Sequence, residues 1–123
     1  MKRHNKDLGD LGEKYAVKRL RRRRYKIVAT NYSCKLGEID IIAAKGEYIV
    51  FIEVKTRDNS EFGRPAEAVN GVKQRRIAKI ASVYMTRHSG RTARFDVIEI
   101  LGRLRFNGKL KVNEFNHIEN AFY

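Results

Sequence analysis

Two acids and a lysine interrupt segments that are otherwise apolar, in Gly37-Glu38-Ile39-Asp40 and Phe51-Ile52-Glu53-Val54-Lys55. A charge in such a strand is costly to bury unless it is paired or binds a metal. These residue types fit one chemistry well. An acid followed by Glu-x-Lys is the arrangement that holds a divalent ion and cuts a phosphodiester bond. Two neighbouring carboxylates repel unless a cation sits between them, and all-oxygen ligands favour Mg²⁺ or Mn²⁺ over zinc. Asp40 and Glu53 are therefore the expected metal ligands, with the backbone carbonyl of Val54 as a further oxygen. Lys55 is placed to orient a water or to neutralise charge developing on the phosphorus. The competing reading is an ordinary surface pair, since exposed strand faces carry Glu-x-Lys freely. The apolar flanks and the placement of Asp40 favour the site.

That placement depends on the elements beneath it. Glu38 to Ala44 and Tyr48 to Thr56 read as strands, joined by a tight turn at Lys45-Gly46-Glu47. Both are apolar enough to be central and covered on two faces. Alternation puts Glu53 and Lys55 on the face of Ile49 and Phe51, with Val50, Ile52 and Val54 opposite. A two-residue turn at Gly46-Glu47, glycine first as a type II′ turn prefers, pairs Lys45 with Tyr48 and sets Asp40 opposite Glu53. A turn at Lys45-Gly46 would make them diagonal neighbours on the same face. An odd-numbered loop would put them on opposite faces and destroy the site.

Helical periodicity runs from about Leu8 to Arg24, with Leu8, Leu11, Tyr15, Ala16 and Leu20 on one stripe. Gly9 and Gly12 in its first turns suggest close packing of the backbone. Glu13 lies one turn before Ala16 and Val17, where it can lean over the sheet as a third acid; a helix N-terminal Glu favoured by the macrodipole fits equally. Tyr25 to Tyr32 reads as a first strand, followed by a turn near Lys35-Leu36-Gly37. Arg57 to Glu67, with Gly63 and Pro65, reads as a loop with a short helical turn from Pro65. Asn70 caps a second helix reaching about His88, whose buried face is Ile77, Ile80, Ala81 and Tyr84; Ser89-Gly90 ends it. Gln74, one turn before Ile77, faces inward on this reading, against the alternative of a partly exposed helical Gln. Arg94 to Leu101 is a fourth strand, and Leu104 to Phe115 a weaker edge hairpin turning at Asn107-Gly108. The order α-β-β-β-α-β gives an α/β fold, a mixed sheet flanked by helices.

At 123 residues the chain is one domain, residues 1–123, with a polar, loose stretch over 1–6. Apolar residues make up 42% and charged residues 33%, with a net charge of +13. Such an excess points to a polyanionic partner, nucleic acid before an anionic membrane. Seven of the nine residues from Lys18 to Lys26 are Lys or Arg, including Arg21, Arg22, Arg23 and Arg24. Lys73, Arg75, Arg76 and Lys79 form a second cluster; Arg103, Arg105, Lys109 and Lys111 form a third. Such groups bind phosphates without reading sequence. The one cysteine, Cys34, excludes an internal disulfide and reads as inert, which suits a reducing cytoplasm. No signal peptide is expected, and no apolar run approaches the ~18 residues of a membrane span.

Gly9-x-x-Gly12-Glu13, Asn31-Tyr32, Gly37-Glu38-Ile39-Asp40, Phe51-Ile52-Glu53-Val54-Lys55-Thr56-Arg57, Phe62-Gly63, Pro65-Ala66-Glu67-Ala68-Val69, Lys73-Gln74-Arg75-Arg76, Arg94-Phe95-Asp96-Val97 and His117-Ile118-Glu119-Asn120-Ala121-Phe122 resemble the small bacterial YraN-like proteins. These are regarded as endonucleases similar to archaeal Holliday-junction resolvases, within the restriction-endonuclease-like PD-(D/E)xK superfamily. The resemblance runs nearly end to end. It implies a restriction-endonuclease-like α-β-β-β-α-β core, with Asp40, Glu53 and Lys55 as catalytic triplet, Glu13 as the helix acid and Gln74 as the helix polar residue. No proline precedes Asp40, which follows Ile39. The expected function is a Mg²⁺- or Mn²⁺-dependent endonuclease on DNA, branched or junction DNA among its substrates, with RNA the second polyanion to consider. Resolvases act as dimers on two-fold junctions, so a homodimer is the implied oligomer. The expected location is the bacterial cytoplasm, in association with the nucleoid. The alternatives are a non-catalytic nucleic-acid-binding module and a protein-interaction factor in DNA uptake or repair, both keeping the nuclease fold.

Overall fold

The computed structural model describes residues 2–58, 69–88 and 90–123. Helix α1 spans Lys2–Arg22, followed by β1 (Lys26–Cys34), β2 (Gly37–Lys45), β3 (Tyr48–Asp58), α2 (Gly71–Met85), β4 (Thr92–Leu104) and β5 (Leu110–Ile118). The five strands lie in chain order in one sheet. Each neighbouring pair is antiparallel except β3 and β4, which are parallel and joined through α2. The expected α-β-β-β-α-β order is found, with β5 added at the edge.

The sheet is covered on both faces. Ile39, Ile42, Ile49 and Phe51 pack with Ile77, Ile80 and Ala81 of α2. Ile41, Ala43, Val50, Ile52, Ile98 and Ile100 pack with Ala16 and Leu20 of α1. Val50, Ile52 and Ile98 are fully buried, which accounts for the unbroken apolar runs of these strands.

Several boundaries differ from expectation. The first helix begins at Lys2 rather than near Leu8, because residues 2–8 contain no Gly or Pro to stop it. It ends at Arg22, where Arg24 takes a left-handed φ of 68°. Tyr25 N–H then bonds Leu20 C=O at 3.0 Å and Arg24 N–H bonds Arg21 C=O at 3.0 Å, a Schellman closure with Leu20 and Tyr25 as its apolar contact. Arg57 and Asp58 continue β3, held by pairing to Leu101 and Gly102 of β4; the rest of the expected loop, 59–67 with Phe62, Gly63 and Pro65, lies outside the described residues, as does Ser89. Helix α2 stops at Met85, three residues short of His88, after Thr86 N–H turns back to Val83 C=O. Strands β4 and β5 run longer than expected because each pairs with the other up to a turn at Arg105–Lys109.

A buried polar cluster ties the C-terminal segment to the sheet. Asp96, fully buried, accepts from Arg94 Nε (2.9 Å) and Nη2 (2.7 Å), His117 Nε2 (2.7 Å) and the Asn120 N–H (3.0 Å). Arg94 also donates to the Tyr25 hydroxyl, which donates to Glu119. Burial would raise the Asp96 carboxyl, but the hydrogen bonds from His117, Arg94 and Asn120 hold it below its ordinary value.

Candidate functional site

The β2–β3 register is the one that a turn at Gly46-Glu47 dictates. Lys45 pairs with Tyr48, and the ladder continues to Ile41 with Ile52. Gly46 has a φ of 57°, as the first turn position requires. Asp40 is the next residue. Its Oδ2 accepts the Val54 backbone N–H at 2.8 Å, so a side chain takes the place of the next ladder contact. Across the sheet, β1 pairs Thr30 with Ile41 and Tyr32 with Ile39, which sets Asn31, φ 50°, opposite Asp40. Alternation also breaks here: Ile39 packs with the α2 layer and Ile41 with the α1 layer.

Glu53 is 7% exposed. Its Oε1 pairs with Lys73 Nζ at 3.2 Å, while its Oε2 is buried and has no hydrogen-bond partner among the described residues. Burial, then the adjacent Asp40 carboxylate, pushes the Glu53 carboxyl up to about 7. Burial and the neighbouring Lys73 ammonium lower the Lys55 pKa. Burial works against the Lys73 charge, yet Glu53 beside it carries the Lys73 pKa above its ordinary value. Glu13, reaching in from α1, is pushed up to about 7 by burial, then by Asp40, Asp10 and Glu38.

These groups line a cavity of about 330 Å³ that also includes Glu38, Val54 and Arg76. Asp40, Glu53, Lys55, Val54 and Glu13 are thus brought together. Gln74 is not among the lining residues. Its amide donates to the Val69 carbonyl at 2.7 Å and closes the start of α2. Lys73 occupies the inward position instead. It lies four residues before Ile77 where Gln74 lies three, so the same helical arc admitted either. By charge pattern alone Lys73 groups with the surface cations; its spacing of four and seven to the buried Ile77 and Ile80 is the signal for its place.

The remaining cations fall into separate sets. Arg76 borders the cavity, whereas Arg75 and Lys79 are exposed on α2. Arg21 to Arg24 lie at the far end of the sheet. Helix α1 meets the end of β3 through Gly12 and Thr56, while Arg23 C=O accepts from Lys45 Nζ at the β2–β3 turn. From Gly12 to Arg22 the helix rises ~15 Å. A groove of about 500 Å³ along α1 and β1 covers part of that distance, passing Glu13, Lys14, Lys18, Arg21 and Asn31.

Whether this chemistry fits a metal is decided by the donor set. Among the described residues no three His, Cys, Asp or Glu are grouped to hold an ion. An ion here would take two carboxylates and complete its shell with a backbone carbonyl, water and substrate oxygens, which is the habit of Mg²⁺. The orphaned Glu53 Oε2 supplies an oxygen without a partner, and Lys73 shows that Glu53 already accepts a cation beside Asp40. The residues fit.

Fold and site together define a mixed α/β protein with a two-carboxylate, lysine-flanked pocket at the carboxyl end of its central strand. Residues 12–100 match the model of an uncharacterised protein family, UPF0102. A UPF0102 protein of Geobacter metallireducens is 47% identical over 99% of this chain and 97% of its own length. Those of Caldicellulosiruptor saccharolyticus and Caldanaerobacter subterraneus are 42% and 46% identical, over 97% and 99% of this chain and 99% and 100% of theirs. The chain belongs to the UPF0102 family, the YraN-like proteins expected from the motifs.

Proposed function

We propose that this chain is a Mg²⁺- or Mn²⁺-dependent endonuclease that hydrolyses phosphodiester bonds in DNA, on a fold of the restriction-endonuclease type. The observation that carries the reading is the juxtaposition of Asp40 and Glu53 with one buried, unpartnered Glu53 oxygen and two lysines alongside. Asp40 and Glu53 would hold the ion, with the Val54 carbonyl beside them. A bound Mg²⁺ would polarise the phosphate and acidify a water. Lys55 would orient an attacking water, whose oxygen bonds to phosphorus as the bond to the leaving sugar oxygen breaks, with the water's proton passing to solvent and the leaving oxygen taking one from it. Lys73, freed from Glu53, neutralises phosphate charge. Glu13 supports from α1, and Gln74 acts through the fold of the helix start.

DNA is the proposed partner, held through Arg21 on the α1 groove with Arg22, Arg23 and Arg24 beyond it, and through Arg75, Arg76 and Lys79 of α2, with RNA the second candidate. A homodimer would suit a two-fold substrate. A cytoplasmic place near the nucleoid fits these partners; among the described residues no helix is long and apolar enough to cross a membrane.

The test is cleavage of branched, single-stranded and duplex DNA with Mg²⁺ or Mn²⁺. Wild type cuts at least one substrate and Asp40→Ala cuts none. If both leave every substrate equally intact, catalysis falls. One observation favours a second reading, a non-catalytic nucleic-acid-binding module: Lys73 Nζ already pairs with Glu53 Oε1 at 3.2 Å. That reading expects salt-sensitive binding that survives Glu53→Ala.

A further inference from the structure

Resting on the reading of the chain as a DNA-acting protein, we propose that the β4–β5 hairpin is a junction wedge, in which Phe106 stacks on an unpaired base and Arg103, Arg105, Lys109 and Lys111 hold the flanking phosphates. Phe106 is 106% exposed, far beyond any other large apolar side chain among the described residues; the next is Tyr123 at 69%. The turn that carries it is ordered. Arg105 N–H bonds Lys109 C=O at 2.8 Å, Gly108 N–H bonds Arg105 C=O at 2.9 Å, and Asn107 Oδ1 accepts the Lys109 N–H at 3.0 Å, with Gly108 at φ 82°. Gly102 makes a tight irregularity at the hairpin's base, where a Cβ would strike the Lys111 carbonyl.

The stretch from Gly102 to Val112 carries four cations and no acid. That suits a polyanion, while a single aromatic ring offers too little apolar surface to seat on a lipid bilayer. Because β4 runs parallel to β3, with Lys55 beside Glu99 and Asp58 beside Gly102, the hairpin projects from the same end of the sheet as the site. From Glu99 to Leu104 the strand advances ~16 Å at ~3.3 Å per residue. That is roughly five base-pair steps. A base displaced at a branch meets a ring, and every base has a face to stack on it.

The experiment uses the full chain without divalent metal, so that binding is read apart from cleavage. Duplex DNA carries 2-aminopurine either at a three-way branch point or inside a continuous arm. Wild type is expected to change the fluorescence at the branch and not in the arm. Phe106→Ala is expected to lose that change and to bind the branched DNA about tenfold more weakly, with continuous-duplex affinity within about twofold; Phe106→Tyr keeps both. An unchanged branch signal in Phe106→Ala overturns the wedge alone. So does Phe106-dependent binding of phosphatidylglycerol vesicles with no base signal from DNA. A wild type that binds no nucleic acid overturns the wedge together with the function beneath it.

Discussion

Glu53 holds Lys73 with one oxygen, while its other oxygen is buried and unpartnered. A group arranged this way costs stability, which the proposed metal role would account for. Glu53→Gln is therefore expected to raise the melting temperature in chelator while reducing DNA cleavage by at least about 100-fold; a variant that melts lower and cuts normally would contradict this. Lys73→Met leaves Glu53 without its cation. The Lys73 side chain is 35% exposed, so the expected loss in chelator is about 1–2 kcal/mol, less than the roughly 3–5 kcal/mol of a fully buried pair. Mn²⁺ should then stabilise the variant more than the wild type, read by thermal melts with and without the ion. Glu13 titrates in the opposite sense to an ordinary surface acid. Its carboxyl keeps a proton to about pH 7 in the folded protein, whereas an unfolded Glu releases it near ~4.3. Between those values the native state binds more protons, so metal-free stability falls as pH rises. Melts from pH 5 to 8 are expected to show that decline in wild type and less of it in Glu13→Gln.

At the scale of elements, the even turn at Gly46-Glu47 was legible because glycine and strand period leave few registers, and it set Asp40 beside Glu53. The exchange of Gln74 for Lys73 was only partly legible: spacing to Ile77 and Ile80 admits Lys73 to the inward arc, but rotamers and partners decide between adjacent residues there. The difference between the two early glycines was not legible. A Cβ on Gly12 would collide with Thr56, whereas a Cβ on Gly9 meets nothing within 4 Å. Close approach of α1 to β3 is thus a property of Gly12 alone. Gly12→Ala is expected to cost about 1–3 kcal/mol, partly recovered in Gly12→Ala/Thr56→Ala, while Gly9→Ala is neutral or stabilising as helix propensity alone would have it. Denaturant midpoints of the four variants, Thr56→Ala included, decide it.

For the whole molecule, the charge of +13 is distributed over distinct clusters, as the sequence spacing indicates. Folding separates it into the pocket's own lysines, an arginine run at the opposite end and a basic hairpin. If about six phosphates are engaged together, affinity should fall about 10³-fold between 50 and 200 mM salt; a flat salt profile by fluorescence anisotropy would exclude a track of that length. Order along the chain has a consequence for assembly. Three of the four neighbouring strand pairs are joined by a short turn, and the β3–α2–β4 crossover alone joins distant segments. Asp40 and Glu53 share the β2–β3 hairpin, so the two like charges are brought together by the most local contact available. Lys73 arrives only with α2. The repulsion is therefore built first and relieved afterwards, and a divalent ion added during refolding should quicken the formation of that hairpin in wild type and not in Asp40→Asn. Stopped-flow refolding with that outcome would mark this pocket as an obstacle on the folding route that a bound cation removes.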